Sequence, residues 1–67
     1  MTGQVTMLNL SKGYGFLRVP DAERDLFFHR SALEEGLDFN TLKVGDELQF
    51  TIEQGNKGPF ATNIKRL

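Results

Sequence analysis

Two short stretches of the sequence, residues 12–19 and 25–30, combine aromatic rings with basic side chains. Both are dense in aromatic and branched residues and are bounded by turn residues, which predicts strands. Because successive side chains of a strand point to opposite faces, each stretch divides into an apolar face and a mixed face. The mixed face consists of Tyr14, Phe16, Arg18, Phe27 and His29. Charged groups are costly to bury, so we expect this face to form an aromatic patch in contact with water.

An exposed aromatic patch beside cationic side chains favours single-stranded nucleic acid as the ligand. Bases stack on such rings, at roughly 1–3 kcal/mol per base, while Lys and Arg side chains contact the phosphates. The alternative is that some of the rings turn inward and fill a small core, since Phe is usually buried. The repetition of the same pattern in both stretches favours the exposed patch.

Charge is distributed unevenly along this small domain, which we place at residues 1–67. The net charge of −1 differs from the positive excess of a generic nucleic-acid binder. However, the acidic residues cluster at 21–25, 34–38 and 46–53. The basic residues in or near the aromatic stretches are Lys12, Arg18, Arg30 and Lys57. We therefore expect a local positive patch on an acidic body, and binding that depends on stacking as much as on charge.

Membrane insertion, metal binding and catalysis find no support in the sequence. No apolar run approaches the ~20 residues of a membrane span and the N-terminus lacks a signal-peptide pattern, so we expect a soluble, cytoplasmic protein. There is no cysteine for a disulfide or a thiolate zinc site. The single histidine, His29, has no neighbours with metal-ligand spacing, and pairing it with Asp25 or Ser31 makes no recognisable catalytic motif. We expect a protein that is not an enzyme and has no cofactor.

Five strands and one helical turn are predicted along the chain. The strands are placed at residues 4–10 (with a bulge), 12–19, 25–29, 46–53 and 60–64. The turn is placed at residues 31–36, where Ser31 can cap it and Gly36 can end it, and residues 37–45 are expected to be irregular. Helical periodicity is nowhere sustained. The pattern predicts an all-β fold, a five-stranded antiparallel OB-fold barrel with one short helical turn.

The aromatic stretches and a later loop resemble the motifs of the bacterial cold-shock proteins. Residues 12–17 (Lys-Gly-Tyr-Gly-Phe-Leu) look like that family's first nucleic-acid-binding motif, and residues 26–29 (Leu-Phe-Phe-His) look like its second. Residues 55–59 form a loop in the matching position. The resemblance implies an OB-fold barrel that binds single-stranded RNA and DNA, favours pyrimidine-rich segments, and acts as an RNA chaperone or a transcription antiterminator. We expect it to be a monomer.

The resemblance also assigns roles to individual residues. It implies that Lys12 and Lys57 contact phosphates and that Asp25, Gly58 and Pro59 border bases. The stacking residues that it implies are Tyr14, Phe16, Phe27, His29 and Phe39.

Four positions depart from the family's pattern. Met7 stands where the family usually has Trp, Arg30 where it usually has an aromatic residue, and Thr6 where it commonly has Lys. Met7 offers only soft contacts, whereas Arg30 can stack on a base or pair with a phosphate, and both stay in the predicted site. Because Met7 replaces a stacking ring, we expect nucleic-acid binding that is weaker than that of a typical family member by ~1–3 kcal/mol. Phe60 replaces an often polar residue, and it either extends the aromatic surface or tightens the packing.

A diverged domain that binds a protein through the same aromatic face is the alternative function. Exposed apolar patches mark protein interfaces, and Met and Arg are both enriched there. Lys12 and Lys57 separate the two functions, because a nucleic-acid surface needs them and a protein interface does not.

Overall fold

A computed structural model describes residues 1–20 and 22–67, so Asp21 of the predicted acidic cluster lies outside the described residues. The strands are β1 (Thr2–Asn9), β2 (Tyr14–Arg18), β3 (Leu26–His29), β4 (Glu47–Gly55) and β5 (Gly58–Arg66). They form a closed barrel in the order β1-β2-β3-β5-β4, which confirms the predicted OB-fold barrel. β3 pairs with β5 in parallel, whereas the other pairings of the described strands are antiparallel.

Strict alternation of side chains builds the core from β2, β3 and β4. In β4, Leu48 and Phe50 are buried and Ile52 is half-buried, while the residues between them are exposed. In β1 the register shifts between Val5 and Met7, as the predicted bulge requires, so Val5 points into the core and Met7 points out. The buried core comprises Val5, Leu17, Val19, Leu26, Phe28, Phe39, Leu42, Leu48, Phe50, Ala61 and Ile64.

A second irregularity lies in β5 and decides which way its side chains face. The register between β4 and β5 shifts opposite residues 62–65, and Asn63 has a φ of 51°. Asn tolerates this left-handed conformation better than most residues do. The extra residue lets both Ala61 and Ile64 point into the core, although they are an odd number of positions apart. Phe60 is therefore on the outer face while Ile64 is fully buried.

The helical turns differ from those predicted. A 3₁₀ helix spans Arg30–Ala32, and its cap is His29, whose side chain accepts a hydrogen bond from the Ser31 backbone N–H, so the turn starts before Ser31. A second 3₁₀ helix, Phe39–Thr41, forms in the segment predicted to be irregular, because the Asp38 carboxylate accepts a hydrogen bond from the Asn40 N–H (2.9 Å). In the part of the chain that is described, no helix is long and apolar enough to cross a membrane.

Candidate nucleic-acid interface

Three aromatic rings lie in contact on the outer face of β2 and β3. The antiparallel register places Phe16 opposite Phe27 and Tyr14 opposite His29. The centroid of the Phe27 ring lies 5.7 Å from that of Tyr14, in a stacked pair, and 5.9 Å from that of Phe16, edge to face. Tyr14 and Phe16 are 6.1 Å apart at 88°. Such arrangements are favourable for aromatic pairs, so we name these three rings the aromatic patch.

The inner side of the same strands fixes the aromatic patch in place. Leu17, Leu26 and Phe28 alternate with the patch residues and are buried in the core. A Cβ on Gly15 would lie 2.6 Å from the Met7 carbonyl oxygen and 2.9 Å from the Phe28 ring, so only glycine lets β1 approach β2 there. The patch rings cannot exchange sides with the core residues without breaking this packing, and Phe27 remains 40% exposed.

One row of outward side chains crosses four strands of the barrel. Met7 of β1 is the register partner of Phe16, Phe16 is the partner of Phe27, and Phe27 is the partner of Phe60 in β5. Directly paired residues present their side chains on the same face of a sheet. The row thus places a thioether at one edge of the aromatic patch and a fourth ring at the other.

Asp25 is held beside the patch by two side chains from neighbouring strands. The Thr6 hydroxyl donates a hydrogen bond to its Oδ2 (2.8 Å), and the Arg18 Nε lies 3.7 Å from its Oδ1. The carboxylate retains free acceptor capacity for a donor group of a ligand. In the sequence, Thr6 stands out only as a departure at a position where the family commonly has Lys. Its outward position on β1, level with the start of β3, is the feature that links it to Asp25.

His29 is oriented by the turn that it caps. Its Nδ1 accepts a hydrogen bond from the Ser31 backbone N–H (3.1 Å) and lies 2.9 Å from the Ser31 hydroxyl. A neutral ring that accepts through Nδ1 carries its proton on Nε2. The exposed His29 side chain is therefore placed to donate from Nε2 to a base carbonyl or a phosphate oxygen.

Cationic residues lie at both ends of the aromatic patch. At one end the Arg30 side chain lies across Gly13, with its Cδ 2.8 Å from the position of a Cβ on that residue, whose φ is +74°. Lys12 precedes Gly13 and is exposed. At the other end, Lys57 is exposed at the tip of the hairpin between β4 and β5. Phosphates at either end of a strand lying over the patch would meet a positive charge.

Gly58 and Pro59 are brought to the patch by the same hairpin. Together with Lys57, Phe27 and Phe60 they line a cleft of about 580 Å³, which we name the hairpin cleft. Around the patch lie the predicted site residues of the strands and of the hairpin, while Lys12 and Arg30 lie at the turn beside it and Phe39 does not join it.

Phe39 does not lie on the outer face, and its predicted stacking role is incompatible with this structure. It is only 7% exposed, and its ring centroid lies 6.1 Å from that of buried Phe28. The 3₁₀ helix capped by Asp38 turns the ring inward, where the apolar contact outweighs exposure to water. Within residues 1–20 and 22–67, no group of three or more His, Asp or Glu side chains is close enough to hold a metal ion.

Comparison with known proteins agrees with this architecture over the whole chain. The family profile described as the 'Cold-shock' DNA-binding domain matches residues 1–67. The chain is 46% identical to the major cold shock protein CspA of Bacillus cereus over 67 residues, covering 100% of this chain and 97% of that protein. It is 45% identical to the cold shock-like protein CspB of Yersinia pestis, covering 100% and 94%.

A solved structure also matches the fold. It is described as Drosophila Unr CSD456, with a TM-score of 0.79 and 30% identity, and the match covers 98% of this chain and 26% of that one. The barrel, the two aromatic motifs and the match over the full length have one explanation: the chain belongs to the cold-shock domain family of nucleic-acid-binding proteins.

Proposed function

We propose that this protein binds single-stranded RNA and DNA, with pyrimidine-rich segments favoured, by stacking bases on Tyr14, Phe16 and Phe27. The observation that carries the proposal is the mutual contact of these three rings on the outer face, with centroids 5.7–6.1 Å apart. Rings that are already fixed by their neighbours lose little conformational entropy when a base stacks on them. The patch is thus preorganised for planar ligands.

The charges around the patch support the same ligand. The ion pairs among the described residues are Arg18–Asp25 and Arg66–Asp46, so Lys12 and Lys57 keep their charges available for phosphates. Only a few cationic groups surround the patch, and the net charge is −1. We expect stacking to supply most of the affinity and the lysines to supply a modest dependence on salt.

The cellular role follows from this mode of binding. Stacking occupies bases without reading their edges in full, so it tolerates many sequences and competes with base pairing. We propose that the protein acts as a monomer in the cytoplasm and keeps transcripts unpaired, as an RNA chaperone or in transcription antitermination.

The direct test is a fluorescence anisotropy titration of labelled dT7 and U7 with the wild-type protein, Phe16→Ala, Phe27→Ala and the control Val44→Ala. Val44 is 64% exposed and lies in the turn before β4, outside the patch. Loss of one ring should raise the Kd about 5- to 150-fold, the equivalent of roughly 1–3 kcal/mol of stacking. A folded wild-type protein that binds neither oligonucleotide at low salt would refute the proposal.

A protein-binding role for the same face is supported by its apolar edge. On this face Met7, the register partner of Phe16, is 38% exposed and Phe27 is 40% exposed. Exposed apolar side chains of this kind occur at protein interfaces. Salt separates the two roles, because log K for a single strand falls with log salt by about 0.7 per neutralised phosphate. Weak oligonucleotide binding that shows no salt dependence would mean that Lys12 and Lys57 contact no phosphates, and it would favour the protein-binding role.

A further inference from the structure

Phe60 is a surface ring that the packing of the core does not require. It is half-buried, yet it belongs neither to the buried core nor to the apolar residues packed directly against that core. Its Cε1 atom lies 2.8 Å from the position that a Cβ on Gly55 would occupy. The ring is therefore seated on the hairpin between β4 and β5, in a place that a larger residue at position 55 would obstruct.

The hairpin cleft lies between this ring and the aromatic patch. Phe60 and Phe27 are register partners in adjacent strands and both line the cleft, together with Gly55, Asn56, Lys57, Gly58 and Pro59. Its volume of about 580 Å³ falls within the ~300–1,000 Å³ typical of small-ligand sites. Its lining is mostly apolar and includes two aromatic rings and Pro59, and the exposed Lys57 adds one cation. These are the features that suit a nucleobase with its phosphate.

We infer that Phe60 is a base-binding residue and that the hairpin cleft holds one nucleobase beyond those on the aromatic patch. The inference rests on the proposed function and adds a binding position to it. The bound nucleic acid then extends from Met7 across β2 and β3 to Phe60 on β5. This distance is about 14 Å at the usual spacing of neighbouring β-strands. Because a phenyl ring offers no hydrogen bonds to base edges, this position accepts any base and favours those that stack most strongly.

An abasic scan measures the coupling between Phe60 and one base directly. Anisotropy titrations use dT7 and seven derivatives, each with a single abasic site, against the wild-type protein and Phe60→Leu. Leucine keeps an apolar side chain on the hairpin but removes the flat ring, and urea unfolding verifies that the variant is folded. We expect Phe60→Leu to weaken dT7 binding about fivefold to tenfold, the lower end of the range for loss of a stacking ring.

The pattern of the scan is decisive. One abasic position should weaken binding to the wild-type protein. The same abasic position should not weaken binding to Phe60→Leu any further, because both changes remove the same contact. If the loss of binding free energy at each of the seven abasic positions simply adds to that of Phe60→Leu, the inference is overturned. If Phe27→Ala then still weakens binding, the proposed function stands without the added position, whereas a wild-type protein that binds no oligonucleotide overturns both.

A tryptophan at the same place gives a second measurement that keeps a ring on the hairpin. The chain contains no Trp, so Phe60→Trp carries the sole indole in the molecule. Addition of dT7 should quench its emission, with the same midpoint as the anisotropy titration. Val44→Trp, in an exposed turn outside the hairpin cleft, is the matched control and should not respond. Equal responses of both variants, or no response of either, would overturn the inference.

Discussion

Replacement of Phe39 by alanine tests whether this ring belongs to the core or to the binding surface. The resemblance to the cold-shock proteins implies a stacking role for Phe39, but the structure buries the ring against Phe28 with 7% exposure. Phe27 has the same side chain in the opposite environment, with 40% exposure on the outer face. The two residues therefore form a matched pair in which stability and affinity should respond in opposite ways.

The magnitude of the effect follows from burial. Removing a buried Phe side chain costs about 3–5 kcal/mol, and the position of Phe39 in a short 3₁₀ helix at the edge of the barrel favours the lower value, since such a segment can partly collapse. A domain of 67 residues has a total stability of about 3–10 kcal/mol. Phe39→Ala should therefore lower the free energy of unfolding by a large fraction of its total. Phe27→Ala should lower it by about 1 kcal/mol through lost ring contacts.

Urea unfolding followed by circular dichroism measures the difference. With an m-value near 1 kcal/mol/M for a small domain, Phe39→Ala should lower the midpoint by about 3 M and Phe27→Ala by about 1 M. Phe39→Leu, which keeps most of the volume, should cost less than ~1.5 kcal/mol. Under folding conditions it should bind dT7 with unchanged affinity.

The assignment of Phe39 to the core would be refuted by two results together. Phe39→Ala would keep the wild-type unfolding midpoint, and it would lose as much dT7 affinity as Phe27→Ala does. Those results would mean that the 3₁₀ helix capped by Asp38 opens and turns the ring outward. A variant that unfolds in the absence of urea would agree with burial, and Phe39→Leu would then provide the affinity measurement.

Three further changes probe the backbone, the edge of the patch and the charges. Gly15→Ala should destabilise the barrel by about 1–3 kcal/mol in urea unfolding, because the new Cβ meets the Met7 carbonyl oxygen at 2.6 Å; unchanged stability would contradict this close approach. Met7→Trp should strengthen dT7 binding by about 1–3 kcal/mol in anisotropy titrations, and no gain would place residue 7 off the path of the strand. Replacing Lys12 and Lys57 with Gln should lower the log–log salt slope by about 0.7 per lysine, and an unaltered slope would mean that the phosphates lie elsewhere.

Alternation alone predicts the faces of strands whose pairing is regular. In β4 alternation favours Leu48, Phe50 and Ile52 as inward residues; the first two are buried and Ile52 is half-buried. In β3 the expected outward residues Phe27 and His29 are exposed. These assignments succeed because a strand has a fixed period and a small barrel has one interior. The bulge in β1 could also be expected, because the apolar residues Val5 and Met7 differ in parity from Leu8 and Leu10. Of these, Val5 is buried and Leu8 is half-buried, whereas Met7 and Leu10 are exposed.

The remaining features depend on contacts that no local pattern contains. Phe60 and Ile64 have the same parity in the sequence, and only the bulge at Asn63 sends one outward and the other inward. The burial of Phe39 results from a short turn that has no repeating pattern and is held by the Asp38 cap and by local backbone hydrogen bonds. Thr6 contacts Asp25 because β1 and β2 pair in one particular register, which the sequence does not specify.

The sparse pairing of β3 with β5 makes this seam the place where the barrel opens most readily. Among the residues that the structure describes, Phe27 and Phe60 are the one register pair there, and the next link beyond the strands is the bridge between Leu33 and Ile64. Regions with few hydrogen bonds open locally at a lower free energy than the whole domain, and their amide protons exchange sooner. On the proposed path a nucleic acid contacts both Phe27 and Phe60, so it should bind the closed seam in preference to an open one and stabilise it. At a concentration 100 times its Kd, such a ligand stabilises the closed form by about 2.7 kcal/mol. Amide exchange at the seam should therefore slow as the concentration of single-stranded nucleic acid rises.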